Sequence, residues 1–169
     1  MGFLLVAPGY DLRGVNEGGS DYIGIYTSIA AANRLCSTET EVQSDQPGVA
    51  RTSSAIADEF TQRPGLATTP SIPASVGGLS GVVLDITLAD GWTGTCFYAP
   101  GGLPVVPMLR GVDPSSLDHG MGLGLTMRLY LLDTPFGTLA IEVDDFADGE
   151  HLDTYSTIID QIRFGPLGN

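Results

Sequence analysis

The chain of 169 residues is long enough for one compact domain that buries roughly two-thirds of its unfolded surface without metal or cofactor. All seven basic residues are arginine, and twenty Asp and Glu leave a net charge of −13. Such a surface repels phosphate backbones and anionic headgroups, so nucleic acid and membrane surfaces are not expected partners, whereas a cationic partner or calcium is compatible with it.

Phe3 to Ala7 reads as a strand and is the longest apolar run, five residues against the ~20 that span a bilayer. It is also too short for a signal-peptide core, so no membrane insertion is expected of this segment, and any anchor would precede Met1. Gly2 lacks a myristoylation context because Val6 stands where Ser or Thr is needed. After the Gly-rich, polar stretch Pro8 to Asp21, Tyr22 to Ile29 reads as a second strand. Thr52 or Ser53 can cap a short helix that runs through Arg63, with Ala55, Ile56 and Phe60 on one face and Pro64-Gly65 as its stop. Beyond the Pro and Thr linker Thr68 to Pro73, Gly77-Gly78 turns the chain into Val82 to Leu88, an alternating strand expected beside the C-terminal hairpin. Three prolines between Pro100 and Pro107 predict an edge strand at best, and Gly111 to Gly122 reads as a polar loop.

The C-terminal third carries the clearest pattern. Leu125, Met127, Leu129 and Leu131 alternate, as do Leu139, Ile141 and Val143, and Leu152, Tyr155, Ile158, Ile159 and Ile162 recur at helical spacing. A hairpin covered on its inner face by the final helix follows. Matching its apolar faces requires a five-residue loop, Asp133 to Gly137, which sets Leu129 opposite Ile141, Met127 opposite Val143 and Arg128 opposite Glu142. A four-residue loop would oppose Leu129 to Glu142. Residues 1–169 read as a single α+β domain, an antiparallel sheet packed by helices.

Cys36 and Cys96 have no zinc-ligand spacing, which leaves a disulfide or two buried thiols. Both lie in loop-like segments, a setting that suits a staple better than a core filler. Gly120-Met121-Gly122-Leu123-Gly124 precedes a strand, so it offers no helix N-terminus to a pyrophosphate. Gly78-Leu79-Ser80-Gly81 lacks the spacing of a nucleophile elbow. Asp118-His119 and Glu150-His151 could together furnish acid and base or metal chemistry if they converge. Asp144, Asp145, Asp148, Glu150 and Asp153 supply hard oxygens that suit calcium, though not in EF-hand order, since Phe146 and Tyr155 fall at ligand positions. Acidic residues at a helix start also follow from the helix dipole, with Asp148 as N-cap.

The helix Thr52 to Arg63, the turn Gly78-Leu79-Ser80-Gly81, the strand Arg128 to Asp133 and the terminal segment Ile159 to Phe164 resemble the PsbP-like superfamily, in its actinobacterial branch of lipoproteins and membrane-anchored extracellular domains. Ala7-Pro8-Gly9-Tyr10 is a partial match to that branch's opening turn, with tyrosine in place of tryptophan. The resemblance implies an α/β/α-type sandwich, a Cys36–Cys96 disulfide, an extracytoplasmic setting, and a non-catalytic binding or accessory role toward a protein or small ligand. It supplies no catalytic residues and no cofactor. The best surface for a ligand is then the groove beside Gly91 to Gly102 and Gly111 to Gly122, where Trp92, Phe97 and Tyr98 could form an apolar anchor or, equally, belong to the core. The rival reading is a small enzyme working through Asp118, His119, Glu150 and His151.

Overall fold

A computed structural model describes residues 3–4, 21–38, 43–111 and 118–164. Among them nine strands form one antiparallel sheet: β1 (Phe3–Leu4), β2 (Tyr22–Ala31), β3 (Leu66–Thr68), β4 (Ile72–Val76), β5 (Leu79–Leu88), β6 (Val105–Gly111), β7 (Asp118–Gly122), β8 (Thr126–Thr134) and β9 (Gly137–Asp145). Two helices accompany it, α1 (Ser53–Thr61) and α2 (Leu152–Ile159). The spatial order is β3-β5-β8-β9-β2-β6-β7, with β1 on β2 and β4 on β5. The fold is thus mixed, as its sequence predicts, but dominated by the sheet. Pro8 to Ser20, Glu39 and Asp113 lie outside the described residues.

The sheet curls until β7, at one end of the order, approaches β5 near the other. Its concave face gathers Leu84 and Ile86 of β5, Leu129 and Leu131 of β8, Met108 of β6 and Met121 of β7 around Ile56, Ala57 and Phe60 of α1. On the convex face, Leu152, Tyr155 and Ile159 of α2 close over Ile23, Ile25, Ile141 and Val143. Thr52 caps α1, its hydroxyl accepting from the Ala55 N–H at 3.4 Å, and the helix stops before Pro64. A bulge between Tyr26 and Ile29, with Ser28 at φ 54°, inserts one residue into β2 and returns Ile29 and Ala31 to the concave face, where β2 leaves β9 for β6.

The hairpin register differs from the predicted one by one residue. Its turn is Pro135-Phe136, so Leu129 lies opposite Glu142, Met127 opposite Asp144 and Tyr130 opposite Ile141. The prediction assumed one buried face per strand, yet every residue of β9 from Thr138 to Asp145 is buried. Arg128 therefore faces away from Glu142. It grips Asp85 with two hydrogen bonds of 2.7 and 2.9 Å and reaches Asp153 at 2.8 Å and Ser156 at 2.9 Å, which ties β5 and β8 to α2. Two further expectations change. β6 is internal, between β2 and β7, because Pro107 sits at an irregularity in the β6–β7 register. Asp118–Gly122 is a strand instead of a loop, since pairing with β6 and burial of Met121 outweigh its low strand propensity.

Cys36 and Cys96 form a disulfide across a sequence separation of 60 that fastens the segment after β2 to the loop before β6. The end of α1 is held by an ionic group. Arg63, almost wholly buried, donates to Pro107 O, to Ala32 O at 2.7 Å and to Glu59 at 3.1 Å, while Arg34 holds the same carboxylate through two hydrogen bonds of 2.7 and 2.8 Å. Replacing Arg63 leaves two buried carbonyls without their donor and takes one of two guanidinium partners from Glu59, so Arg63→Ala should lower the unfolding free energy in urea by about 3–5 kcal/mol. Arg51→Ala breaks an exposed pair with Asp45 and should cost under about 1 kcal/mol. Equal small losses in both variants would contradict this division.

Candidate functional site

Because of the observed register, β9 turns Glu142 and Asp144 toward the concave core, beside Leu129 and Met127. The next strand sets Gly24 opposite Glu142 and Tyr22 opposite Asp144, with Tyr26 two residues further along the same face. Gly24 has a steric purpose: a Cβ there would lie 2.5 Å from the Tyr26 hydroxyl, so its absence lets the Tyr26 ring fold over the strand. His119 comes from β7 across the curl. Its Nδ1 lies 2.6 Å from Glu142 Oε2 and its Nε2 lies 3.5 Å from the Tyr26 hydroxyl. The Tyr22 hydroxyl donates to the same Glu142 oxygen at 3.2 Å. Both tyrosine rings stand edge-on to the imidazole, at 4.9 Å for Tyr26 and 6.5 Å for Tyr22.

The carboxylates are the deeply buried part of this cluster and the rings lie nearer the surface. Glu142 is wholly buried and Asp144 nearly so, whereas the His119 side chain is 24% exposed and both tyrosines are half-buried. Glu142 Oε1 and Asp144 Oδ1 are buried and have no hydrogen-bond partner among the described residues. Burial, then the negative charge of Glu142, pushes the Asp144 carboxyl up to about 8, although hydrogen bonding from Tyr22 and the charge of His119 pull it the other way. Burial and the same carboxylates also push both phenols well above their ordinary range.

A second cluster lies where β9 passes into α2. Asp145 accepts from the Ala147 and His151 N–H groups, both at 2.7 Å, and His151 Nδ1 lies 3.4 Å from it. Asp21 accepts from the Phe146 N–H at 2.9 Å and from the Tyr155 hydroxyl at 2.7 Å. Burial pushes the Asp145 carboxyl up, but those two backbone N–H groups together with the His151 side chain outweigh it and hold it below the usual range. Ligand atoms of Asp21, Asp145 and His151 lie within 4.8 Å of one another. Each carboxylate oxygen already accepts a protein N–H or O–H, so the arrangement works as a clasp on the first turn of α2. His151, not Asp148, occupies the N-cap position.

The predicted site residues separate. Asp144 belongs to the concave cluster and its neighbour Asp145 to the clasp, as strand alternation requires, while Asp148 and Glu150 lie outside both, toward solvent. The fifth calcium candidate, Asp153, pairs with Arg128, so the five are not gathered into one ligand set in this arrangement. His119 and His151 likewise enter different clusters, and the side chain of Asp118 lies outside the described residues. Trp92 is a pillar of its loop: its N–H donates to Val105 O at 3.1 Å, and a Cβ on Gly65 or Gly94 would collide with its ring. Phe97 and Tyr98 point outward, 50% and 39% exposed, with their rings edge to face at 5.5 Å. The anchor expected from three aromatics is divided between core and surface. Tyr22, Tyr26 and Glu142 had a signal that periodicity passes over, because Ile141-Glu142-Val143-Asp144 alternates apolar and acidic residues inside a strand that has no exposed face.

Fold and site together define an antiparallel curled sheet with two helices and a buried carboxylate, histidine and tyrosine cluster. No family model, no curated protein and no solved structure matches the chain.

An Asp144 whose proton is held to about pH 8 in the fold but released near pH 4 on unfolding binds more protons folded than unfolded between those values. Its contribution to stability therefore falls as pH rises from about 4 to 8. Asp144→Asn should remove that slope, with little gain at pH 4.5 and about 1–3 kcal/mol at pH 8 in urea unfolding. A gain that is equal at both pH values would show that Asp144 does not titrate in this way.

Proposed function

We propose that this chain is a non-catalytic extracytoplasmic binding or accessory domain whose recognition site is the mouth formed by Tyr22, Tyr26 and His119 over Glu142 and Asp144. The observation that carries the reading is the pair of buried carboxylate oxygens, Glu142 Oε1 and Asp144 Oδ1, without a partner among the described residues. Leaving such groups unpaired costs free energy, and a ligand that donates to them recovers it. Their surroundings are held in place before any ligand arrives. Gly24 gives room to Tyr26, and Tyr22 and His119 fix one side of Glu142.

The separation of His119 from His151 favours binding over the rival enzyme, which needs those histidines in one pocket. The Cys36–Cys96 bond favours an oxidising compartment, and no helix among the described residues is long and apolar enough to cross a membrane. We also retain the PsbP-like reading and its α/β/α sandwich as a proposal. It is supported by the placement of α1 and α2 with opposite faces of the sheet and by the resembling motifs, which fall on the β4–β5 turn, on β8 and at the end of α2.

Screening a fragment library that spans cations, anions and neutral molecules by NMR tests the location directly. Chemical-shift changes should cluster at Tyr22, Tyr26 and His119 for the fragments that bind. Clustering at Phe97 and Tyr98, or in the groove of about 400 Å³ lined by Ile72, Val83, Arg128 and Tyr130, would move the binding site elsewhere.

A further inference from the structure

Resting on that assignment of the site, we propose that the group recognised there is an organic primary ammonium, carried by a small amine or by a lysine side chain of a partner. The unpartnered atoms are one carboxyl oxygen of Glu142 and one of Asp144; Asp144 keeps its proton up to about pH 8, so an ammonium that binds near neutral pH displaces that proton and then meets two acceptors. They demand a donor, and the surrounding charge demands a positive one: an anion would meet Glu142 and Asp144 inside a chain of net charge −13. The chain contains no lysine, so no side chain of its own supplies an ammonium.

Atom matching separates the ammonium from a divalent cation. Calcium takes 6–8 oxygens and magnesium a near-ideal octahedron. Here Glu142 Oε2 is already committed to His119 and Tyr22, which leaves Glu142 Oε1, with Asp144 Oδ1 the other unpartnered oxygen. An ammonium has three N–H donors, a number that those two oxygens and one phenol oxygen match. The remaining walls are rings. Tyr22 and Tyr26 present aromatic surface beside a desolvated carboxylate floor, the environment in which a cation gains both Coulombic and cation–π attraction. Their half-exposed position would let the methylene stem of an alkylammonium leave through the mouth, so the same site could take a free amine or the tip of a lysine.

The test titrates the full chain at pH 7 with n-butylammonium, its neutral counterpart 1-butanol, calcium chloride, and a peptide with a single lysine and a blocked N-terminus, following Tyr22, Tyr26 and His119 by NMR. Butylammonium should shift these resonances saturably and butanol should not. Glu142→Gln and Asp144→Asn should each weaken butylammonium binding by roughly 30-fold or more. Tyr26→Phe, which leaves both carboxylates in place, should weaken it less and keeps the comparison usable if an amide variant does not fold. Saturation by the lysine peptide as well identifies a protein as an admissible source, whereas its failure beside a positive butylammonium titration identifies a free amine. Equal binding of butanol, or shifts produced by calcium but not by butylammonium, would overturn the ammonium assignment and leave the binding site standing. If no probe moves these resonances while the library fragments perturb another surface, the site itself is misassigned and both readings fall.

Discussion

The structure depends on the register of the β8–β9 hairpin. With Pro135-Phe136 as its turn, Leu129 lies opposite Glu142 and Met127 opposite Asp144, so two carboxyl groups enter a face whose core cluster is apolar. A slip of one residue would pair the apolar sets of the two strands and turn both acids to the other face. Apolar matching alone would select that alternative. The long-range partners of β9 are compatible with the observed register: Tyr22 and Gly24 of β2 lie opposite the two acids, and His119 of β7 closes on Glu142 from across the curl.

Holding acidic side chains in such a place requires stability from elsewhere. The two apolar clusters, one with each helix, supply the bulk of the burial. Polar clamps then fix the pieces whose relative positions shape the site. Arg63 and Glu59 hold α1 to β2 and β6, Arg128 holds β5 and β8 to α2, and the disulfide fastens the long connection before β6. The clasp of Asp21 and Asp145 secures the passage into α2 beside the end of β2. Each clamp joins elements distant in sequence, and with the pairing of β7 on β6 they keep β2, β7 and β9 within reach of one another. That proximity is what a preorganised recognition site requires.

The parts of the fold that are legible in the sequence are those where local signals suffice. Thr52 and Pro64 bracket α1, alternation marks β5, β8 and β9, and helical spacing marks α2. The loop setting of both cysteines points to the bond that forms between them. What local signals do not carry is which strand lies beside which, and the site is made by that. Nothing near His119 in sequence marks Glu142 as its partner, and a glycine-rich stretch becomes β7 only because β6 lies alongside it. Alternation misleads about the register because it implies one solvent face, whereas β9 is covered on both. Its acidic positions then look like a solvated surface although they are the least exposed part of the site.

Titrating the carboxyl carbons of a uniformly carbon-13-labelled chain by NMR reads the central claim most directly, because the burial of Asp144 follows from the hairpin register and from nothing local. With the observed register, the Asp144 signal should titrate with a midpoint near pH 8. A midpoint near the ~4 of a free aspartate would contradict the uncompensated burial of Asp144 on which the carboxylate floor of the site rests.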